Sequence, residues 1–140
     1  MRTATLHTLI ALSLLLLAAC TKNISDKSVD IIDVQQMAKL HARDAKSVLI
    51  IDSRSPEDFA AGHIPGARNI RLPQIRENDR DPALERYKQI IVYGQNPGSA
   101  TAMAIAKRLL ASGYSDVVLF KPGFDAWKAS GMSVEPLSSN

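Results

Sequence analysis

The sequence predicts one α/β domain, a parallel central sheet with helices on both faces. Three observations carry that expectation. Residues 47–52 and 89–93 are continuously apolar runs rather than alternating ones, as expected of strands covered on both faces. Residues 117–120 form a third such run. Helical patterns lie between these runs, opened and closed by recognisable cap residues. At 140 residues the chain has room for one ordinary domain.

Taken in order, the first element is an apolar run at residues 9–19, broken only by Ser13 and preceded by Arg2. At 1.5 Å per residue it is too short for a hydrocarbon core of about 30 Å, so it predicts a secretory signal. It ends Leu17-Ala18-Ala19-Cys20, which resembles the lipobox of bacterial lipoproteins. The resemblance implies that residues 1–19 are a signal peptide and that Cys20, once acylated, is the first mature residue and ties the chain to membrane lipid. It also implies a cell-envelope location facing the periplasm or exterior. Thr21 favours the outer membrane over the inner. Residues 20–30 then read as the acylated end and a polar tether, residues 31–136 as the domain and 137–140 as a short tail.

Within the domain, Asp33 is a predicted N-cap for a helix over 34–42 with the stripe Val34, Met37, Ala38, Leu40 and His41. The strand at 47–52 ends in Asp52. Ser55 then caps a helix start in which Pro56 takes the first turn and Glu57 and Asp58 sit at the positive end of the dipole. Residues 62–67 must be a loop, 70–72 a short strand and 82–87 a short helix. After the strand at 89–93 comes a long helix over 99–112, with Ala102, Ile105, Ala106, Leu109 and Leu110 on one side and Lys107 and Arg108 opposite. Gly113 ends it. Residues 123–129 form the last helix, with Phe124 and Trp127 in the core and Gly131 beyond.

Composition excludes several classes. With 46% apolar residues and a net charge of +3, the chain is not intrinsically disordered. Its pI is 9.2, but the basic residues are scattered, so nucleic acid is not an expected partner. One cysteine excludes a disulfide scaffold and a Cys-based zinc site. Neither a cofactor nor a metal is expected.

Ligands of parallel sheets sit at the carboxyl ends of strands, close to helix N-termini. Two junctions qualify: Asp52-Ser53-Arg54, and Gly94 to Gly98 ahead of the long helix. Three segments around them resemble the rhodanese family. One is Val48-Leu49-Ile50-Ile51-Asp52-Ser53-Arg54-Ser55-Pro56-Glu57-Asp58-Phe59, continuing to Gly62-His63-Ile64-Pro65-Gly66-Ala67. The second is Ile90-Ile91-Val92-Tyr93. The third is Gly113-Tyr114, Val117-Val118-Leu119 and Gly123-Phe124-Asp125-Ala126-Trp127, closing at Gly131. Together they span residues 31–134.

The resemblance implies a rhodanese-like fold and, in the family, sulfur transfer by a loop cysteine that carries a persulfide. Here Gly94 stands at that cysteine's position, the arginine that many relatives carry late in the loop is missing, and the loop is one or two residues longer. A persulfide needs a thiolate, stabilised by loop amides and a helix dipole, and glycine supplies none. Cys20, acylated as the lipobox resemblance implies, is expected to lie far from the loop. The leading expectation is therefore a non-catalytic binding or accessory module. Its candidate anion- or partner-binding loop is Gly94, Gln95, Asn96, Gly98, Ser99 and Ala100, with Asp52, Arg54 and His63 in support. Pro97 removes one donor. A thiol-bearing protein is one partner that fold analogy allows. The alternative is a thiosulfate sulfurtransferase-type or related enzyme with an atypical nucleophile, Ser99, and His63 as its base.

Each of these residues also has a structural role available. Ser99 is most simply the cap of the long helix, His63 a turn-fixing hydrogen bonder, His41 a surface residue and Asp52 with Arg54 an ion pair. Gly62 and Gly66 supply backbone conformations denied to other residues. Arg68, Arg71, Arg76 and Arg80, mixed with Glu77, Asp79 and Asp81, read as a solvated mixed face, with a docking edge as the sharper reading.

Overall fold

The computed structural model describes residues 23–43, 46–77 and 79–136. The expected signal peptide, Cys20 and the tail at 137–140 lie outside them. Five strands, β1 (Asp30–Ile32), β2 (Val48–Asp52), β3 (Arg68–Asn69), β4 (Gln89–Tyr93) and β5 (Val117–Phe120), form one sheet in the order β1-β5-β4-β2-β3. Every pairing is parallel. The helices are α1 (Val34–His41), α2 (Pro56–Ala61), α3 (Pro82–Glu85), α4 (Ala100–Ala111) and α5 (Gly123–Ala129).

The continuous apolar runs have two covered faces because each strand feeds two cores in alternation. Leu49 and Ile51, Ile90 and Val92, and Val117 and Leu119 face Ala102, Ile105, Ala106 and Leu109 of α4. Ile50, Ile91, Tyr93, Val118 and Phe120 face Met37 of α1, Phe59 of α2, and Phe124 and Trp127 of α5. The expected doubly covered sheet is thus what the chain forms. Local signals set the helix starts. Asp33 and Gln36 make a reciprocal capping box at α1, and Ser55 caps α2 with Pro56 in the first turn.

Four readings of the sequence change. The folded unit begins before residue 31. Ser25 caps a 3₁₀ turn at Asp26–Ser28, Val29 is buried in the α4-side core, and β1 adds a strand too short for its pattern to register. The short strand falls at Arg68–Asn69 rather than at 70–72. The Asn69 amide donates to the carbonyls of Asp52 and Arg54 and the Ile70 N–H to Asp52, which spends the pairing there. Leu72–Gln74, carrying Pro73, is then a 3₁₀ turn. Gly62 has φ 163°, an extended conformation open to any residue. Its constraint is space, because a Cβ there would stand 2.8 Å from Val134 Cγ1. Gly66, at φ +75°, keeps the conformational role. His41 is half-buried rather than on the surface: its Nε2 donates to Pro65 O at 3.0 Å and its ring packs on Trp127.

The arginine-rich stretch is held down by its backbone. Arg108 donates to the carbonyls of Leu72 and Ile75, and Tyr114 brackets Asp81. Arg76 pairs with Asp79 and Arg80 with Glu85 at exposed positions, as a mixed solvated face requires.

Ile91, in the central strand β4, is fully buried, whereas Ile31 on edge strand β1 is 51% exposed. Ile91→Ala should cost about 2–5 kcal/mol in a urea titration, and Ile31→Ala no more than about 0.5 kcal/mol.

Candidate functional site

The carboxyl edge of the sheet is organised by one buried carboxylate. Register places Asp52 at the end of β2 beside Tyr93 at the end of β4. Both are fully buried. Tyr93 Oη donates to Asp52 Oδ2 at 2.5 Å. Arg54 Nε and Nη2 grip the same carboxylate, with an Nη2–Oδ2 distance of 2.7 Å, and the Arg54 backbone N–H donates to Oδ1. The remaining guanidinium donors reach Gly62 O at 2.7 Å and Gln95 Oε1 at 3.1 Å, and the group lies 3.9 Å from the centre of the Phe124 ring. Burial, and then the negative charge of Asp52, push the Tyr93 phenol far above its ordinary pKa, although the Ile64 N–H and Arg54 pull the other way. Burial lowers the Arg54 pKa, but Asp52 and Tyr93 outweigh it and the group stays above its usual value. Asp52 and Arg54 thus form the ion pair that the sequence offered as their structural role.

The loop after β4 is fastened from the other side. Gly94 O and Gln95 O accept the first N–H groups of α5, from Phe124 at 2.9 Å and Asp125 at 3.0 Å. The backbones meet because Gly123 sits at φ +76°, where a Cβ would lie 2.7 Å from Gly94 O. The Gln95 side chain accepts from Arg54 and donates to Asp125 Oδ1. Asn96 Oδ1 accepts from the Gly98 N–H at 3.0 Å and Asn96 O from the Ser99 N–H at 3.1 Å. Two of the loop amides are therefore spent internally.

Ser99 holds the N-cap position of α4, but its hydroxyl makes no cap bond, which corrects the expected role of its side chain. That side chain is turned toward Gly94. A Cβ at residue 94 would overlap both Oγ and Cβ of Ser99 and stand 3.3 Å from Ala102 Cβ. The first-turn amides of α4, at Ala100, Thr101 and Ala102, have no acceptor within the helix. In front of them opens a cleft of about 450 Å³ lined by Ser53, Arg54, Ser55, Asp58, Arg71, Leu72, Pro73, Gln95, Ser99 and Thr101. These amides, the hydroxyls of Ser99 and Thr101 and an exposed Arg71 are chemistry for an anion or a carboxylate, while the Ser53 hydroxyl is spent on Tyr93 O and that of Ser55 on the one acid of the rim, Asp58.

His63 does not join this group. It is buried against the Phe59 ring at 3.8 Å, its Nδ1 donates to Phe59 O at 2.9 Å, and its backbone pairs with Glu135. No hydrogen bond links it to Ser99, so the expected nucleophile–base pair is not assembled. Among the described residues, no group of three His, Cys, Asp or Glu side chains could hold a metal ion. Sequence reasoning missed Tyr93, Thr101 and Asp125, and named Arg71 only within the mixed face or docking edge. The Tyr93 signal was present, as a hydroxylated aromatic closing a buried strand, but its meaning depends on register.

Against known proteins, the rhodanese-like domain profile matches residues 35–130. The thiosulfate sulfurtransferase GlpE of Pseudomonas putida is 31% identical over 91 residues, 65% of this chain and 79% of that protein. Among solved structures, a rhodanese-like domain from Anabaena sp. superposes with a TM-score of 0.56 at 27% identity, covering 76% of this chain and 78% of its own. A protein from Bacillus halodurans shares the fold with a TM-score of 0.67 at 22% identity, covering 79% of each chain.

The Tyr93 proton gives a readout of the buried cluster. A phenol with a raised pKa keeps its proton longer in the folded than in the unfolded chain. Its stabilising contribution is full below about pH 10 and falls as pH rises further, by about 1.4 kcal/mol per unit. In denaturant titrations at alkaline pH, Tyr93→Phe should start less stable for loss of the Asp52 hydrogen bond, then decline with a shallower slope than the native chain.

Proposed function

The chain belongs to the rhodanese-like domain family, and from that premise we propose that it is a non-catalytic binding or accessory domain. It is held on a bacterial envelope membrane through acylated Cys20. Its recognition surface is the loop at residues 94–100 with the adjoining cleft, and its ligand is a small anion or an acidic group on a protein partner. The observation that carries this reading is the crowding of Gly94 by Ser99. Sulfur transfer needs a thiolate at the loop to take the sulfane sulfur and pass it on. The one cysteine of the chain is Cys20, and the volume that a side chain at residue 94 would need is filled. The nucleophile is not merely absent; its place has been closed. Donors for an anion persist at the start of α4, and Arg71 adds an exposed positive charge.

Relatives such as the Pseudomonas putida protein carry the name thiosulfate sulfurtransferase. For this chain the same reaction would fall to Ser99, whose hydroxyl has no base within hydrogen-bond reach among the described residues.

Thiosulfate-to-cyanide transfer decides between the two. The native chain should be silent. Gly94→Cys alone should also be silent and less stable, because the new side chain collides with Ser99. Gly94→Cys combined with Ser99→Gly should take up one sulfur atom from thiosulfate, read by intact mass. Turnover by the native chain that is lost in Ser99→Ala would overturn the proposal in favour of an enzyme.

A further inference from the structure

The place where the chain enters the fold bears on how an anchored domain would stand. Ser25 caps the first turn, Asp26 Oδ1 pairs with Lys107 Nζ at 2.7 Å, and Val29 is buried. The segment from residue 25 onward is therefore docked on the domain rather than free. It is docked at one end. Val29 directly precedes β1, which pairs with β5 from Asp30↔Val118 onward, so the entry lies at the amino edge of the sheet. Lys107 lies in the second half of α4, the half that returns to the same edge. The loop at residues 94–99 and its cleft follow the carboxyl ends of β4 and β2, at the opposite edge. The edges are separated by the five residues of β4, about 16 Å at 3.3 Å per residue.

Between Cys20 and Ser25 the chain can span about 18 Å at most. A lipid on Cys20 would keep the amino edge within that distance of the headgroups, and turning the other edge, about 16 Å away, toward them would stretch the tether almost to its limit, at the cost of its conformational entropy. We propose that the domain stands with the amino edge of its sheet toward the bilayer and the cleft toward water, so that its ligand arrives from the aqueous side and is not a lipid headgroup of the same membrane. This inference rests on the acylation of Cys20 proposed above.

The test uses the full chain produced in a bacterium and reconstituted into phosphatidylethanolamine–phosphatidylglycerol vesicles with acceptor dyes on the headgroups. Lys88, exposed just before β4, and Lys121, exposed just after β5, mark the two edges. Lys88→Cys and Lys121→Cys each receive a maleimide donor dye, and Lys27→Cys repeats the amino-edge measurement. A native chain that refuses the dye yet floats with the vesicles shows Cys20 blocked and anchored. Transfer to the headgroups should then be about twofold stronger from residues 88 and 27 than from residue 121, given the edge separation of roughly 16 Å. Equal transfer, or the reverse order, overturns the orientation and leaves the anchor standing. A native chain that takes the dye on Cys20 or stays in the aqueous fraction overturns the anchor itself.

Discussion

A carboxylate without access to water costs several kcal/mol unless charge and hydrogen bonds surround it. Asp52 is that group, and the carboxyl edge of the sheet is arranged around its needs. Both of its oxygens are committed to Arg54, and Oδ2 also accepts a hydrogen bond from the Tyr93 hydroxyl. Satisfying Asp52 fixes where β2 and β4 end relative to each other and holds Arg54 inside. With its remaining donors Arg54 then grips Gly62 ahead of the His63 loop and Gln95 in the candidate binding loop. Removing one partner would strand the other, a loss of about 3–5 kcal/mol for a buried pair. The arginine is thereby unavailable as a free ligand-binding charge, and any anion recognition falls to Arg71, the hydroxyls and the helix amides.

Most of the fold was legible because burial writes itself into residue type. Residues 47–52 and 89–93 lack alternation, and only strands covered on both sides tolerate that. Asp33, Ser55 and Pro56 mark helix starts by donors and dihedrals that act within a few residues. What escaped was set at longer range. β1 has three residues, and its identity comes from pairing with β5, more than eighty positions away. The strand expected at 70–72 moved because Asn69 found acceptors on the Asp52–Arg54 turn, a contact that no local pattern encodes. His41 looked like a helix end facing water, yet the 62–67 loop and Trp127 close over it.

The site was legible in position and only partly in content. Asp52, Arg54 and the loop after β4 follow from the rule that parallel sheets act at their carboxyl ends. Gly94 was visible as an absent side chain, but the sequence could not show whether that left a hole or a filled space. The structure places Ser99 in it, through a backbone turn that holds the hydroxyl away from the cap it would otherwise make. Tyr93 and Asp125 became visible only once register and the docking of α5 put them beside Asp52 and Gln95.

These contacts explain how the loop keeps its shape with glycine at position 94. Nothing that fastens it uses a side chain at position 94. Its carbonyls are taken by α5, its turn is closed by Asn96, and its entry is clamped through Gln95 to Arg54. Gly123 lets two backbones meet, and a larger residue there would push them apart. The shape of the loop thus draws on Asp52, Tyr93 and α5 and not on a side chain at position 94. On the binding role proposed above, what remains to specify the ligand is the shape and charge of the cleft, and neither depends on position 94.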